Sequence, residues 1–459
     1  MSSSEPGLAA VARRAEEYLR NRGAAIVAPA LDEAGLAARL ALYDFAAPRA
    51  LDAIAADLFD LLGHATIRTD SPRYFGLFNP PALPEGVAGD LIAAAVNPQL
   101  AVWGHAPAAA EIERKLIRLF GDLIGWPAAE LAGGFTSGGT EANHTACLAA
   151  LARRYPGWAE RGLAAAHPRP VIIVSAESHL AWIKIARSVG LGAEAIRLVP
   201  TADGLALSAA AAAQAIAAEP GIDPFLIVAT AGTTGHGAID DIAGLAALAR
   251  GLGSHLHVDA AWAGAALLLT ECRDLFVGIE AADSVTIDPH KWLSVPMGAG
   301  LYLARDWSAL EAAFAVSTGY MPSASVERRD PYIHSLQWSR RFIGLKLFTI
   351  LAASGLDGVR ARLRHQIAMG ALLRDGLRAD GWQVLNDTVL PLLCFAPLGE
   401  TDDDAIRALE REVVASGVTW ISSVRLRGRL ALRACITSYE TAPADIEALL
   451  RQLRLARPA

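Results

Sequence analysis

Lys291 stands in Asp288-Pro289-His290-Lys291-Trp292, and Asp259 lies 32 positions earlier (291 minus 259) in Leu256-His257-Val258-Asp259-Ala260-Ala261-Trp262-Ala263-Gly264. A primary amine attacks an aldehyde only when neutral, a state that burial and nearby cations favour. An acid at a strand end can keep a pyridine nitrogen protonated and so make the ring an electron sink. Together these are the requirements of a pyridoxal phosphate site. Taken singly, each residue has a plainer reading: a surface lysine at a helix start, and an aspartate capping the next helix.

Other segments supply what such a site would further need. Phe135-Thr136-Ser137-Gly138-Gly139-Thr140-Glu141-Ala142-Asn143 is a Gly-rich turn opening a helix, where free amides and the helix dipole favour a phosphate and Thr140 adds a hydroxyl. It lacks the Gly-Lys-Ser/Thr of a P-loop and the dinucleotide fingerprint. His179 follows an apolar strand, and its ring could face Ala261 across a flat heterocycle; a lone histidine is otherwise an ordinary hydrogen-bonded residue. Ala229-Thr230-Ala231-Gly232-Thr233-Thr234-Gly235 brings hydroxyls to the end of another strand, or is simply a strand-to-helix turn.

These residues need a scaffold that gathers strand ends. Val171–Val174, Phe225–Val228, His255–Val258 and Ser284–Ile287 are short apolar runs separated by Ala/Leu-rich helical stretches such as 242–252. Strands apolar on both faces that alternate with helices predict an α/β domain with a mainly parallel sheet, whose ligands sit beyond the carboxyl ends of the strands. Residues 74–348 carry this pattern. Residues 1–73 read as amphipathic helices, with Val11, Ala15, Tyr18 and Leu19 on one face and Leu51, Ile54, Leu58, Leu61 and Leu62 on another. Two such helices need a surface to cover. Residues 349–459 predict a smaller α/β portion with a long helix through Met369 and Leu377, apolar segments at Val389–Phe395 and Leu430–Ile436, and a closing helix over 444–453 after Pro443.

The 459 residues exceed one core, and 53% hydrophobic with 19% charged residues describe a folded protein. A net charge of −7 gives no electrostatic case for nucleic acid or an anionic membrane. No apolar run approaches the roughly 20 residues of a spanning helix, and the N-terminus lacks a secretion pattern, so a cytoplasmic protein is expected. Cys147, Cys272, Cys394 and Cys435 have neither paired nor metal-like spacing, and no metal site is expected.

Ser137–Asn143, His179, Gly232-Thr233-Thr234, His257–Gly264 and Asp288–Trp292 together resemble the group II pyridoxal-phosphate-dependent amino-acid decarboxylases, which include aromatic-L-amino-acid, tyrosine, glutamate, diaminobutyrate and cysteine-sulfinate decarboxylases. Asp259 lies 25 positions after Thr234 (259 minus 234), a spacing that is also consistent with the family. The likeness extends through Ser71–Gly76, Trp103–Glu113 and Gln337–Phe342 and so covers nearly the whole chain.

The resemblance implies fold-type I, the aspartate-aminotransferase-like architecture. It comprises an N-terminal helical arm that clasps a partner, a large cofactor-binding domain on a mainly parallel seven-stranded sheet, and a small C-terminal α/β domain. A homodimer with active sites at the interface is expected. The resemblance makes Lys291 the Schiff-base lysine and Asp259 the partner of the pyridine nitrogen. His179 and Ala261 sandwich the ring, while Gly139, Thr140, Thr234, Asp288 and His290 lie at or near the cofactor. A loop over about 317–335, containing Tyr320 and Tyr332, implies Tyr332 as the tyrosine that influences protonation. Tyr74, Phe75, Phe78, Trp103 and His105 fall in segments that line the family's side-chain pocket; His105 and Arg73 would suit a polar or acidic substrate instead.

The activity so implied is decarboxylation of an L-amino acid, foremost an aromatic one, to its amine and carbon dioxide. Alternatives are a decarboxylase of glutamate, aspartate or 2,4-diaminobutyrate, an aldehyde synthase, and, outside catalysis, a silent pyridoxal-phosphate-binding relative.

Overall fold

The structure, a computed structural model, describes residues 7–24, 26–166, 168–201, 205–316, 329–399 and 402–457. The chain forms two compact units, Glu85–Arg364 and Met1–Pro84 with His365–Ala459. The limits expected from sequence were 73 and 348.

The Glu85–Arg364 unit is built on a seven-stranded sheet of β1 (Ala132–Thr136), β2 (Arg169–Ser175), β3 (Ile196–Val199), β4 (Ile222–Thr230), β5 (His255–Asp259), β6 (Ser284–Ile287) and β7 (Gly300–Ala304). Their order is β1-β7-β6-β5-β4-β2-β3. Neighbours from β6 to β3 pair in parallel, and only β7 opposes its neighbours, lying antiparallel to both β1 and β6. The four strands expected from apolar runs are β2, β4, β5 and β6.

Helices cover the sheet because its strands have no solvent face. Every residue of β5, β6 and β7 is buried. On one face Ile172, Val174, Leu226 and Val228 pack with Trp182 and Ile185 of the helix Ala181–Ser188 and with Leu151 of the helix Gly139–Arg154. Burying a side chain of this size contributes about 2 kcal/mol. Local signals set the helix ends. Pro107 starts Pro107–Ile124 and left-handed Gly125 (φ 92) closes it; the Asp241 carboxylate accepts from the Gly244 amide at 2.9 Å to cap Ile242–Leu252, which left-handed Gly253 ends.

The other unit holds an antiparallel sheet of β8 (Trp382–Val384), β9 (Leu392–Pro397), β10 (Ser422–Leu426) and β11 (Arg429–Cys435) in the order β10-β11-β9-β8. It is closed by the helix Pro443–Ala456. Among the described residues its N-terminal part has three α-helices, Gly7–Asn21, Glu33–Ala41 and Leu51–His64, where two were expected. Asp32, accepting from the Gly35 amide at 2.9 Å, caps the short middle one. Arg22 ties this region to the C-terminal part through an ion pair with Glu440.

The long helical stretch begins at Gly344 and runs to Ala379, interrupted by Gly355 at φ 63. Among the described residues no helix is long and apolar enough to cross a membrane. All four cysteines are buried.

Candidate active site

The carboxyl ends of the central strands and the helix after β1 enclose a cavity of about 310 Å³, at the lower end of the roughly 300–1,000 Å³ of small-molecule sites. Its lining includes Gly139, Thr140, His179, Thr234, Asp259, Ala261, Asp288, His290 and Lys291. The structure therefore gathers all nine residues assigned to the cofactor from sequence.

Lys291 is placed by the turn that follows β6. The Asp288 amide donates to the Ala261 carbonyl at 2.8 Å, and the Lys291 amide returns to the Asp288 carbonyl at 3.0 Å. Lys291 Nζ then lies 3.1 Å from Asp288 Oδ2. Asp288 Oδ1 is buried without a hydrogen-bond partner, an orphaned acceptor beside the lysine. His290 Nδ1 accepts from the Ala299 amide at 3.1 Å, so the neutral ring carries its proton on Nε2. Burial holds the His290 imidazole below its ordinary pKa against the opposing charge of Asp288.

Asp259 is the last residue of β5 and is 5% exposed. Its Oδ2 accepts from Asn143 Nδ2 at 2.7 Å and its Oδ1 from the Ala261 amide at 3.2 Å. Two donors thus orient the carboxylate. His179 is exposed at the cavity mouth, and its Nδ1 accepts from the Ala181 amide at 3.1 Å, which again leaves the neutral-state proton on Nε2. Despite that exposure, desolvation by the protein around the ring lowers its pKa; the Asp259 charge opposes the shift and Lys291 adds to it.

The phosphate-type end is the turn before Gly139–Arg154, whose first amides have no acceptor within the helix. A Cβ on Gly139 would come within 2.7 Å of Asp288 Oδ2 and 3.3 Å of the Ala261 Cβ. Gly232, left-handed at φ 89, would place a Cβ 2.6 Å from that of Ala263.

A model of the pyridoxal-dependent decarboxylase conserved domain matches residues 40–397. The chain belongs to the pyridoxal-dependent decarboxylase family. Within that family it is 31% identical over 426 residues to a tyrosine decarboxylase of Oryza sativa subsp. japonica, covering 86% of this chain and 79% of the relative. It is 30% identical to a cysteine sulfinic acid decarboxylase of Mus musculus, covering 72% and 68%. The crystal structure of mouse CSAD superposes with a TM-score of 0.90 at 26% identity and 98% coverage of both chains.

The cavity fits the cofactor of a pyridoxal-dependent decarboxylase. It offers an amine on Lys291, an oriented carboxylate on Asp259, unclaimed amides at a helix start, and small residues where a flat ring needs room.

The remaining residues assigned to the site from sequence have these neighbours. Tyr74 stacks on Trp420 (5.0 Å, 26°), Phe75 is fully buried among Leu393, Phe395 and Leu432, and Phe78 lies beneath the Arg433 guanidinium at 5.1 Å. Their aromatic surface is used in packing within the unit formed by Met1–Pro84 and His365–Ala459. Arg73 is engaged by Asp445 at 2.9 Å.

Trp103 donates from its backbone to Asp330 at 2.7 Å and from Nε1 to Glu111 at 2.9 Å, and neither it nor exposed His105 lines the cavity. Tyr332 donates its amide to Ala101 at 3.1 Å, packs on Trp338 at 4.9 Å, and likewise does not line the cavity. Tyr320 lies outside the described residues.

Asn143, Glu141 and Trp262 also line the cavity and had no role assigned from sequence. Asn143 carried a legible signal: it sits four residues after Gly139, hence on the same helix face, where a polar residue needs a buried partner.

Proposed function

We propose that this pyridoxal-dependent decarboxylase converts an aromatic L-amino acid to its amine and carbon dioxide. The observation that carries the reaction is the convergence of Lys291, Asp259 and His179 on one cavity. The similarity to the rice tyrosine decarboxylase supports an aromatic substrate.

Bound pyridoxal phosphate supplies an aldehyde for the imine and an electron-poor ring that accepts the electron pair left when the carboxylate departs. The chain does the rest. Lys291 Nζ would provide the amine that carries the cofactor. The Asp259 carboxylate holds a proton on the ring nitrogen. The His179 imidazole, neutral and protonated at Nε2, covers one side of the ring and Ala261 the other. The amides of Gly139 and Thr140, with the Thr140 hydroxyl, hold the phosphate, while Thr234 and His290 border it. Tyr332 is retained in this reading as the tyrosine that influences protonation.

The reading also takes the chain as a homodimer. Leu8, Leu40, Leu51 and Leu62 on the N-terminal helices are at least half exposed (58%, 50%, 51% and 59%), leaving apolar faces for a second copy to cover.

The similarity to the mouse cysteine sulfinic acid decarboxylase favours a second reading, an acidic substrate. One assay separates them. The holoenzyme is given L-tyrosine, L-tryptophan, L-glutamate, L-aspartate, L-2,4-diaminobutyrate and L-cysteine sulfinate while amine, carbon dioxide, aldehyde and hydrogen peroxide are measured. Amine from an aromatic amino acid is the expected product. Amine from an acidic one alone, or aldehyde with peroxide, overturns the proposal.

A further inference from the structure

Four buried side chains form a line that ends on Asp259. His255 Nε2 lies 2.7 Å from Ser284 Oγ, Ser284 Oγ lies 2.8 Å from His257 Nδ1, His257 Nε2 lies 3.1 Å from Asn143 Oδ1, and Asn143 Nδ2 lies 2.7 Å from Asp259 Oδ2. His255, Ser284, His257 and Asn143 are 5%, 0%, 0% and 3% exposed. The strands explain the alignment: β5 pairs with β6 with His257 beside Ser284, and the helix Gly139–Arg154 lays Asn143 over the end of β5.

The direction of each bond follows from its neighbour. An ionised carboxylate only accepts, so the Asn143 amide nitrogen faces Asp259 and its carbonyl faces His257. That carbonyl requires a donor, which places a proton on His257 Nε2; Thr286 Oγ1, at 3.3 Å, shares the same N–H. Burial, reinforced by His255, holds His257 well below its ordinary pKa and so neutral. Its Nδ1 is then a lone pair that accepts from the Ser284 hydroxyl, and Ser284 Oγ in turn accepts from His255 Nε2. The line ends on His255 Nδ1, which has no partner. In this arrangement the group left over is a lone pair and not a buried N–H.

We propose that His255, Ser284, His257 and Asn143 act as a directed hydrogen-bond relay whose four donors all point toward Asp259, holding its carboxylate turned into the cavity. The proposal rests on the reading of Asp259 as the partner of the cofactor's ring nitrogen. Within it the four are positioning residues. Successive donors polarise one another, so the last N–H is a stronger donor than an isolated amide.

The test uses the full chain as wild type, Asn143→Leu, Ser284→Ala and Trp182→Phe. The last variant alters the ring packed edge-on against His257 at 5.7 Å and touches none of the four bonds. The readouts are the dissociation constant for pyridoxal phosphate and the pH midpoint of the bound cofactor's visible band. Asn143→Leu is expected to weaken binding about tenfold and move the midpoint. Ser284→Ala shifts both in the same direction by less, and Trp182→Phe leaves both unchanged.

Wild-type values in Ser284→Ala, or equal shifts in Ser284→Ala and Trp182→Phe, overturn the relay. Nitrogen-15 NMR of the wild-type histidines gives a check that needs no variant: His257 protonated at Nε2 is expected, and protonation at Nδ1 or at both nitrogens overturns the direction. Borohydride reduction of the wild-type holoenzyme separates the two claims. No label on Lys291 defeats the proposed function, whereas a labelled Lys291 with unshifted variants defeats the relay alone.

Discussion

Lys291 Nζ lies 3.1 Å from Asp288 Oδ2, a contact made within a single turn of chain. The carboxylate, 2% exposed, therefore holds the amine at the strand end and toward the cavity. Replacing Lys291 by Ala is expected to abolish borohydride-stable attachment of pyridoxal phosphate and to lower turnover roughly a thousandfold or more. Mass spectrometry of the reduced protein and a carbon dioxide assay check both outcomes.

Gly139→Ala sets a methyl group 2.7 Å from Asp288 Oδ2 at the start of the proposed phosphate turn. An alanine suits a helix interior, so stability should change by no more than about 1 kcal/mol. Affinity for pyridoxal phosphate should fall about tenfold or more as the turn and Asp288 move apart. Thermal melting of the apoprotein beside cofactor titration distinguishes a lost site from a lost fold.

A buried ion pair gives a test of stability. Glu113 and Arg340 form an ion pair at 2.7 Å with both side chains 3% exposed, supported by the Gly344 amide to Glu113 at 3.0 Å and by Arg340 Nη1 to the Phe135 carbonyl at 3.2 Å. Glu113→Gln leaves the guanidinium buried without its counter-charge and should cost about 3–5 kcal/mol. Arg340→Met added to Glu113→Leu should recover most of that loss, because no charge is then stranded. Denaturant unfolding of the two variants provides the comparison.

Acid should weaken the fold through His255. Burial lowers its pKa from 6.5 to about 4. Above pH 6.5 it is neutral in both states and contributes no pH dependence. Between 6.5 and 4 the unfolded chain binds a proton that the folded chain refuses, so stability falls with decreasing pH by about 1.4 kcal/mol per unit, some 3 kcal/mol in all. His255→Gln should flatten the stability curve in that window by the slope of one proton. A wild-type curve with no greater slope than the variant would count against it.

Strand periodicity made the large sheet readable, because runs such as Phe225–Val228 are apolar on both faces and admit little besides a covered parallel strand. The residues gathered at the cavity were readable for a related reason: Asp259, His179 and Lys291 follow such runs closely, and the architecture brings strand ends together whatever the intervening helices contain. The aromatic segment Tyr74–Phe78 was less legible because a ring suits a ligand and a core equally, and the packing of Phe75 on Leu393 and Phe395 exists only after folding. Asn143 and Ser284 escaped notice because their partners lie 116 and 27 residues away, at Asp259 and His257, a proximity that exists only after folding. The short helix Glu33–Ala41 was missed because its stabilisation comes from the local Asp32 cap and from Arg39 pairing with Asp57 and Asp60 across to the next helix.

The lone reversed strand has an architectural effect. Because β7 runs against β1 and β6, the chain enters it from the rim where Lys291 lies and leaves at the opposite rim. The connection that makes this reversal is 288–299, so Lys291 occupies the bend between two antiparallel strands rather than the head of a long crossover helix. Lys346 Nζ anchors the bend through the carbonyls of Pro296, Met297 and Gly298, so an insertion there would move Lys291 against that anchor, and length polymorphism among functional variants should be small in this segment.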